Sequence, residues 1–445
     1  MQIGVTHPRA RTLLRRLCAA GLRAADPSQA LSRHVTRAGD GLHVGGRSFD
    51  LHRPRRVLAV GAGKASARLA LALERLLGRR LDGGLVVVKH GQTVPTKRIR
   101  LLGAGHPLPD RAGQRAGTSL LALVRDLTAD DLLIVLLSGG ASSLLPAPVP
   151  GVILPNKRRI TEQLLKCGAS IQEINQVRKH LSMIKGGRLA AATKARVISL
   201  ILSDVIGNDL GSIGSGPTAP DPSTFQDACS ILQRYQLWEK VPEAVRQHLQ
   251  KGRQGWIADT PKPGDAIFQR VQNHIIGDNV ATVAAAAHGA GEAGLTTTVL
   301  STTFTGEARE AARKFAGIAR KIAASNATSK RPCCVIAGGE LTVAVRGRGR
   351  GGRAQEFALA ASLEIAGLEN VWVAGFGTDG ADGPTDAAGA VADGQTVARA
   401  GQLGLDPRRA LNQNDSYNFF KKLGGHIITG PTGTNVNDLY LLLAL

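Results

Sequence analysis

The sequence predicts an α/β protein of two domains, the first built on a largely parallel sheet covered by helices. Three observations carry this. The chain of 445 residues exceeds one ordinary core. Short apolar runs alternate with longer helical stretches. The 54 glycines cluster at the ends of those runs, where a chain must bend sharply or let a ligand approach its backbone.

Residues 56–60, 85–88, 132–137 and 197–202 read as buried strands, each closed by Gly, Ser or Asp. Helical patterns at 64–77 and 112–127 lie between them. Strands buried on both faces read as continuous apolar runs, and a βαβ rhythm makes them parallel. Ligands of such sheets bind outside the carboxyl ends of the strands, where the glycines fall here. Residues 251–264, rich in Gly, Pro and Lys, read as a linker. A second α/β rhythm follows, with strands at 274–277, 296–301, 333–337, 341–345 and 371–374 and helices at 281–293, 307–324 and 354–366. The apolar run Leu439–Leu445 closes the chain as a strand of either domain. The expected domains are therefore 1–262 and 263–445.

The net charge of +22 raises nucleic-acid binding. Residues 1–56 hold eleven Arg and three Asp, and the rest of the excess is spread along the chain without an aromatic-studded groove. A basic surface is the simpler account, and no nucleic-acid partner is expected. The cysteines at 18, 167, 229, 333 and 334 have no CxxC spacing, so neither a disulfide framework nor a zinc site follows, and the cytoplasm is the expected compartment. The Arg-rich, acid-poor start would also suit a mitochondrial presequence. Leu13 with Leu17 and Leu14 with Cys18 have helical spacing and favour a core helix. No apolar run approaches the ~18 residues of a membrane span. Composition leaves a homo-oligomer open.

Five segments carry candidate chemistry. Gly61-Ala62-Gly63-Lys64 joins a strand to a helix, whose N-terminus favours an anion. It is no P-loop, because Leu58 and Ala65 stand where Gly and Ser or Thr are required. It is no complete dinucleotide fingerprint, because Ser66 takes the place of the third small residue. Lys64 is unusual at the positive end of a helix and points to a phosphate or carboxylate partner. The second segment, Ser138-Gly139-Gly140-Ala141-Ser142-Ser143, has glycines for close approach and hydroxyls as donors. The third is Ser203-Asp204 through Asp209, where a carboxylate suits magnesium or a helix cap. Upstream, Arg178, Lys179, Lys185 and Arg188 fit anion contacts or a solvated face. Fourth, Gly338-Gly339-Glu340 and the glycines at 347, 349, 351 and 352 precede Arg353, and suggest a mobile loop delivering that arginine to an oxyanion. Fifth, Asp379, Asp382 and Asp386 alternate with glycines like a divalent-metal loop. An EF-hand is excluded by Ala390 at its twelfth position. Together these residues point to phosphoryl transfer with magnesium.

These residues resemble the glycerate 2-kinase family, whose second domain is called MOFRL. The matching stretches are 61–64, Gly105-His-Pro-Leu-Pro-Asp110, 138–143, 181–190 with Lys185-Gly-Gly-Arg188, 203–218, Gly351-Gly-Arg353-Ala-Gln-Glu356, 377–389, Asn414-Asp415-Ser416 and Gly433-Thr-Asn-Val-Asn-Asp438. They cover nearly the whole chain in the family's order. The resemblance implies a Rossmann-like first domain, a smaller α/β MOFRL domain and an active site in the cleft between them. It implies ATP-dependent phosphorylation of D-glycerate at the 2-hydroxyl, with magnesium. Lys64 and Arg353 align with residues that look essential there, and Asp204 joins them as a catalytic candidate. Gly61, Gly63, Ser138, Gly139, Gly140, Ser142, Lys185, Glu340 and Asp379 are the expected substrate and nucleotide contacts, and Asp204, Asp379 and Asp382 the expected magnesium ligands. Ala354 departs from the family's usual Asn, and Gly103 from its usual acidic residue. Phosphorylation at the 3-hydroxyl and an NAD(P)-dependent hydroxypyruvate reductase are the alternatives. The latter would need a ribose ligand such as Asp82.

Overall fold

The computed structural model describes residues 1–324 and 331–445. It divides into two compact units, residues 30–276 and residues 1–29 with 277–445.

In the first unit six strands lie in the order Val271–Gly277, Arg196–Leu202, Leu132–Leu137, Val57–Ala62, Gly83–Lys89, Ile99–Ala104. The five strands from 57 to 202 pair in parallel. Numbered along the chain, the order is 6-5-4-1-2-3, that of the Rossmann fold. The strand 132–137 is wholly buried, as an apolar run covered on both faces must be. Its Leu133, Val135 and Leu137 join Leu58, Val60 and Ala62 in a core closed by Leu120, Leu121 and Val124 of the helix Arg111–Arg125. A second cluster unites the helices Leu154–Lys166, Ile171–His180, Phe225–Arg234 and Glu243–Arg253. A three-stranded meander at 35–50 had no signal in the sequence.

The other unit holds a mixed sheet of seven strands, ordered Gln2–Ile3, His426–Ile428, Gly389–Asp393, Val371–Gly377, Asp438–Ala444, Cys333–Thr342, Thr296–Glu307. The closing strand is central, antiparallel to both neighbours. Its alternation serves two cores. Leu439, Leu441 and Leu443 pack with Leu14, Leu17 and Val283. Tyr440, Leu442 and Ala444 pack with Phe315, Phe357 and Phe420. Strands expected at 333–337 and 341–345 form one strand that ends at Thr342.

Two expectations change here. The helix Pro8–Ala25 is a core helix, but it packs against Asn279–Gly291 of the C-terminal segment. Helical spacing shows that a face is buried, and says nothing of what buries it. The division after the linker falls at Ile276/Gly277 instead of 262/263. Residues 258–261 are bound into the first unit: Asp259 accepts from His180 Nε2 at 2.8 Å, and Pro261 O accepts from Asp221 N at 2.9 Å. Among the described residues, no helix is long and apolar enough to cross a membrane.

Candidate functional site

In the first unit, the strands 57–62 and 132–137 are neighbours whose outward connections run opposite ways, so the crevice at their carboxyl ends is the sheet's switch point. Both glycine loops emerge there and are bonded to each other. Lys64 N donates to Gly139 O (2.8 Å), Ala65 N to Ser138 Oγ (3.0 Å), and Ser138 N to Ala62 O (3.2 Å). The glycines make this contact sterically feasible. A Cβ on Gly61 would lie 2.0 Å from Leu136 O, and one on Gly63, at φ +147°, would lie 2.0 Å from Ser138 Oγ. The structure thus brings together Gly61, Gly63, Lys64, Ser138, Gly139 and Gly140. Asp204 follows the next strand and is half-buried.

Two expected contacts prove to be supports. Ser138 is buried, and its hydroxyl serves Ala65 N and the Ser66 hydroxyl (3.0 Å). Lys185 is 1% exposed, and its ammonium donates to the carbonyls of Ser142 (2.8 Å) and Leu145 (3.4 Å). Four-carbon stems bury readily when the charged end finds such acceptors. Spacing alone does not show the direction in which a lysine points.

The sequence reading gave His106 no role and left Arg178 open between anion contacts and a solvated face. His106 follows the strand 99–104, and its ring would meet a Cβ on Gly140 at 2.8 Å. Burial, then the fields of Lys64 and Lys89, push its imidazole down to about 4, so it is neutral at pH 7. Arg178, on the helix 171–180, donates to Ser142 Oγ at 2.5 Å.

In the other unit, Arg353 opens the helix Arg353–Glu364. It grips Asp438 through Nε (2.5 Å) and Nη2 (3.1 Å), and reaches Glu340 through Nη1 (2.6 Å). Tyr440 OH donates to Asp438 (2.8 Å), and Asn437 Nδ2 to Glu340 (3.0 Å). Burial opposes the guanidinium charge, but Asp438 and Glu340 outweigh it and hold Arg353 above its ordinary value. Asp438 pairs in register with Gly339 on one side and Gly377 on the other, so its carboxylate has room. Asp438, Asn437 and Tyr440 went unassigned in the sequence, although Asp438 ends one of the family's stretches. Glu340 and Arg353 line an open cleft of about 550 Å³ with Gly351, Gly352 and Asn414.

The aspartates at 379–386 separate instead of converging. Asp379 Oδ1 accepts from Ala381 N (3.1 Å), and Asp386 accepts from Tyr417 OH (2.7 Å). Asp382, an expected magnesium ligand, is buried at the start of the helix 353–364. Its oxygens accept from Ala354 N (3.1 Å) and Gln355 N (2.8 Å), groups that a helix start leaves without partners. Burial is the main cause that pushes this carboxyl up to about 6. Among the described residues no three His, Cys, Asp or Glu form a metal cluster.

The glycine-rich loop before Arg353 is also fixed where mobility was expected. Asn414 Oδ1 accepts from Arg346 N (2.8 Å) and Gly347 N (2.9 Å), Gln413 O from Gly349 N (2.8 Å), and Asp415 Oδ1 from Arg350 N (2.9 Å). A Cβ on Gly347, Gly349 or Gly351 would lie 2.2–2.4 Å from residues 413–416. These glycines serve close approach. Ala354, the departure beside Arg353, is buried with its N–H on Asp382.

Comparison with known proteins finds two families along the chain. Residues 13–250 match the family described as a domain of unknown function, DUF4147, and residues 333–438 match the MOFRL family. A glycerate 2-kinase of Pyrococcus horikoshii is 40% identical over 96% of both chains. A protein of Agrobacterium vitis, named provisionally as a hydroxypyruvate reductase, is 40% identical over 98% of this chain and 94% of its own. The crystal structure of a glycerate kinase from Thermotoga maritima superposes with a TM-score of 0.87 at 38% identity, covering 99% of this chain and 100% of that one.

Proposed function

The chain belongs to the glycerate 2-kinase family, and we propose that it transfers the terminal phosphoryl group of ATP to the 2-hydroxyl of D-glycerate. The observation that carries this reading is the Lys64 loop. It sits at the switch point of a Rossmann-order sheet, stitched to a second glycine loop, where such sheets hold phosphates.

Phosphoryl transfer asks little covalent chemistry of a protein and much positioning and charge neutralisation. The bond from the γ-phosphorus to ADP breaks as one to the glycerate oxygen forms, and the hydroxyl proton passes to a carboxylate. Lys64 and Arg353 are assigned to the charge on the transferring group. Asp204 and Asp379 are assigned either to magnesium or to that proton. Magnesium takes one or two carboxylates with phosphate oxygens, so hard donors at strand ends fit it; bound, it neutralises the phosphate charge. Asp382 is left out, since its oxygens hold the helix 353–364. The partners on this reading are small molecules, and the cysteine usage supports a cytoplasmic compartment.

Purified protein is expected to release ADP only with D-glycerate, ATP and magnesium together. The product is expected to feed enolase directly, without a mutase, as 2-phosphoglycerate does. No glycerate-dependent ADP would overturn the reading, and a requirement for mutase would move the phosphate to the 3-hydroxyl. The reductase alternative fails at the ribose. Asp82 precedes the strand 83–89 and accepts from Val57 N at 2.7 Å, at the amino end of the sheet. The carboxyl end of that strand carries Lys89, where a dinucleotide fold places an acidic residue. Hydroxypyruvate-dependent loss of NADH absorbance would reverse this conclusion.

A further inference from the structure

Beneath the second glycine loop lie three cations that the proposed mechanism leaves unused: Lys157, Arg178 and Lys185. Both lysines are buried, and among the described residues their ammonium groups meet only carbonyls. Lys157 donates to Pro146 O (2.7 Å) and Leu181 O (3.0 Å), and Lys185 to Ser142 O and Leu145 O. Among the described residues no carboxylate pairs with any of the three. Burial pushes both lysines well below their ordinary values, and the Arg178 charge adds to it. Arg178 is pushed only to about 10, by burial, and stays charged at neutral pH. A half-buried guanidinium facing two buried lysines, without a carboxylate, is a site of unbalanced positive charge.

The fork of Arg178 is also held in one orientation. Nη2 donates to Ser142 Oγ (2.5 Å), and Nη1 makes a longer bond to Asn175 Oδ1 (3.5 Å). Ser215 gives its proton to Asn175 Oδ1 (3.0 Å), so in the 2.8 Å contact between the serines Ser142 is the donor. Both serine protons are therefore assigned, and Ser142 can only accept from Arg178. The rest of the fork has no protein acceptor among the described residues. Ser142 follows the strand 132–137 at its carboxyl end, where this sheet type receives ligands.

We propose that Arg178, oriented by Ser142 and Asn175, binds the carboxylate of the three-carbon acceptor. The inference rests on the glycerate reading and adds the residue that selects an acid over a polyol. A carboxylate offers two coplanar oxygens and one fixed charge, which match a guanidinium fork. The nucleotide phosphates go to the Lys64 loop at the switch point of the sheet, which leaves the Arg178 fork to the carboxylate.

Three readouts on the purified full chain test it: KM for D-glycerate, KM for ATP, and the rise in thermal midpoint with D-glycerate alone. Arg178→Gln is expected to raise KM for glycerate on the order of 10- to 100-fold, the range for losing a charge-assisted pair. KM for ATP should stay unchanged, and the glycerate-induced thermal shift should vanish. Arg178→Lys should restore part of the affinity, because it returns the charge without the fork. Ser142→Ala, a smaller change to the packing, should raise KM for glycerate several-fold. An unchanged KM for glycerate in Arg178→Gln, or a rise confined to KM for ATP, would overturn the proposal and leave the kinase reading standing. A wild-type protein stabilised by glycerate through Arg178, yet releasing no ADP, would sink the kinase reading and keep this one.

Discussion

The two units solve the placement of a positive charge in opposite ways. Around Arg353 the cation is enclosed by carboxylates. Asp438 holds it on two nitrogens and Glu340 on a third, and it is raised above its ordinary value. Around Arg178 there is no carboxylate among the described residues; burial lowers Arg178, and burial followed by the Arg178 charge lowers Lys157 and Lys185. A paired arginine is held in one place for charge that develops beside it, whereas an arginine without a carboxylate keeps its fork open to an anion from outside. Glycines show the same contrast. Gly61 and Gly63 bring two loops at strand ends together, while Gly347, Gly349 and Gly351 let a loop lie against residues 413–416.

The largest expected effects break the comparison at its centres. Lys64→Ala and Arg353→Ala should each lower kcat on the order of 10³-fold, as loss of a cation on a transferring phosphoryl group does. Only Arg353→Ala should also cost about 3 kcal/mol of stability, because it strands a buried Asp438. Kinetics beside thermal unfolding separates the two, and equal losses of stability would erase the distinction.

A pH series sharpens the comparison next. Asp382 has its folded value raised to about 6 from 3.8, so the folded state binds the extra proton. Its stabilising effect is full below about pH 4 and is lost as pH rises toward about 6. The span is about 3 kcal/mol at 1.36 kcal/mol per unit. Asp382→Asn should gain stability relative to wild type across that window in denaturant titrations. A constant difference would refute the assignment.

Gly349→Ala comes third, at about 2 kcal/mol of destabilisation, because its methyl would lie 2.4 Å from Asp415 Cβ. A mobile loop would tolerate it, so an unchanged midpoint would restore the mobile reading. The smallest effect belongs to Arg348→Ala, an exposed neighbour of Arg353 in sequence alone. Stability within about 0.5 kcal/mol of wild type and unaltered turnover are expected.

Much of the site was legible in the sequence because small-residue loops after apolar runs advertise strand ends. Lys64, Gly139 and Asp204 were placed at such ends that way, and the structure has all three there. The same method placed Arg353 correctly beside Glu340, but misjudged its loop. Glycine composition cannot tell a mobile segment from one pressed against a neighbour. It grouped Asp379, Asp382 and Asp386 by nearness in the chain, where the fold sends each to a different partner. It passed over Asp438 and His106, whose importance comes from residues distant in sequence.

By itself, then, the sequence determined what local chemistry specifies: apolar runs with period and length for strands and helices, loops of glycine with Lys or Asp, and a family resemblance from end to end. Tertiary structure decided what depends on contact. It gave the sheet its Rossmann order, set Leu439–Ala444 at the centre of the other sheet, and joined the helix 8–25 to the C-terminal segment. It also turned Lys185 inward onto carbonyls and left Arg178, among the described residues, without a carboxylate. The physical reason is that burial, pairing and the direction of a side chain are set by groups far apart in sequence, and no local pattern encodes them.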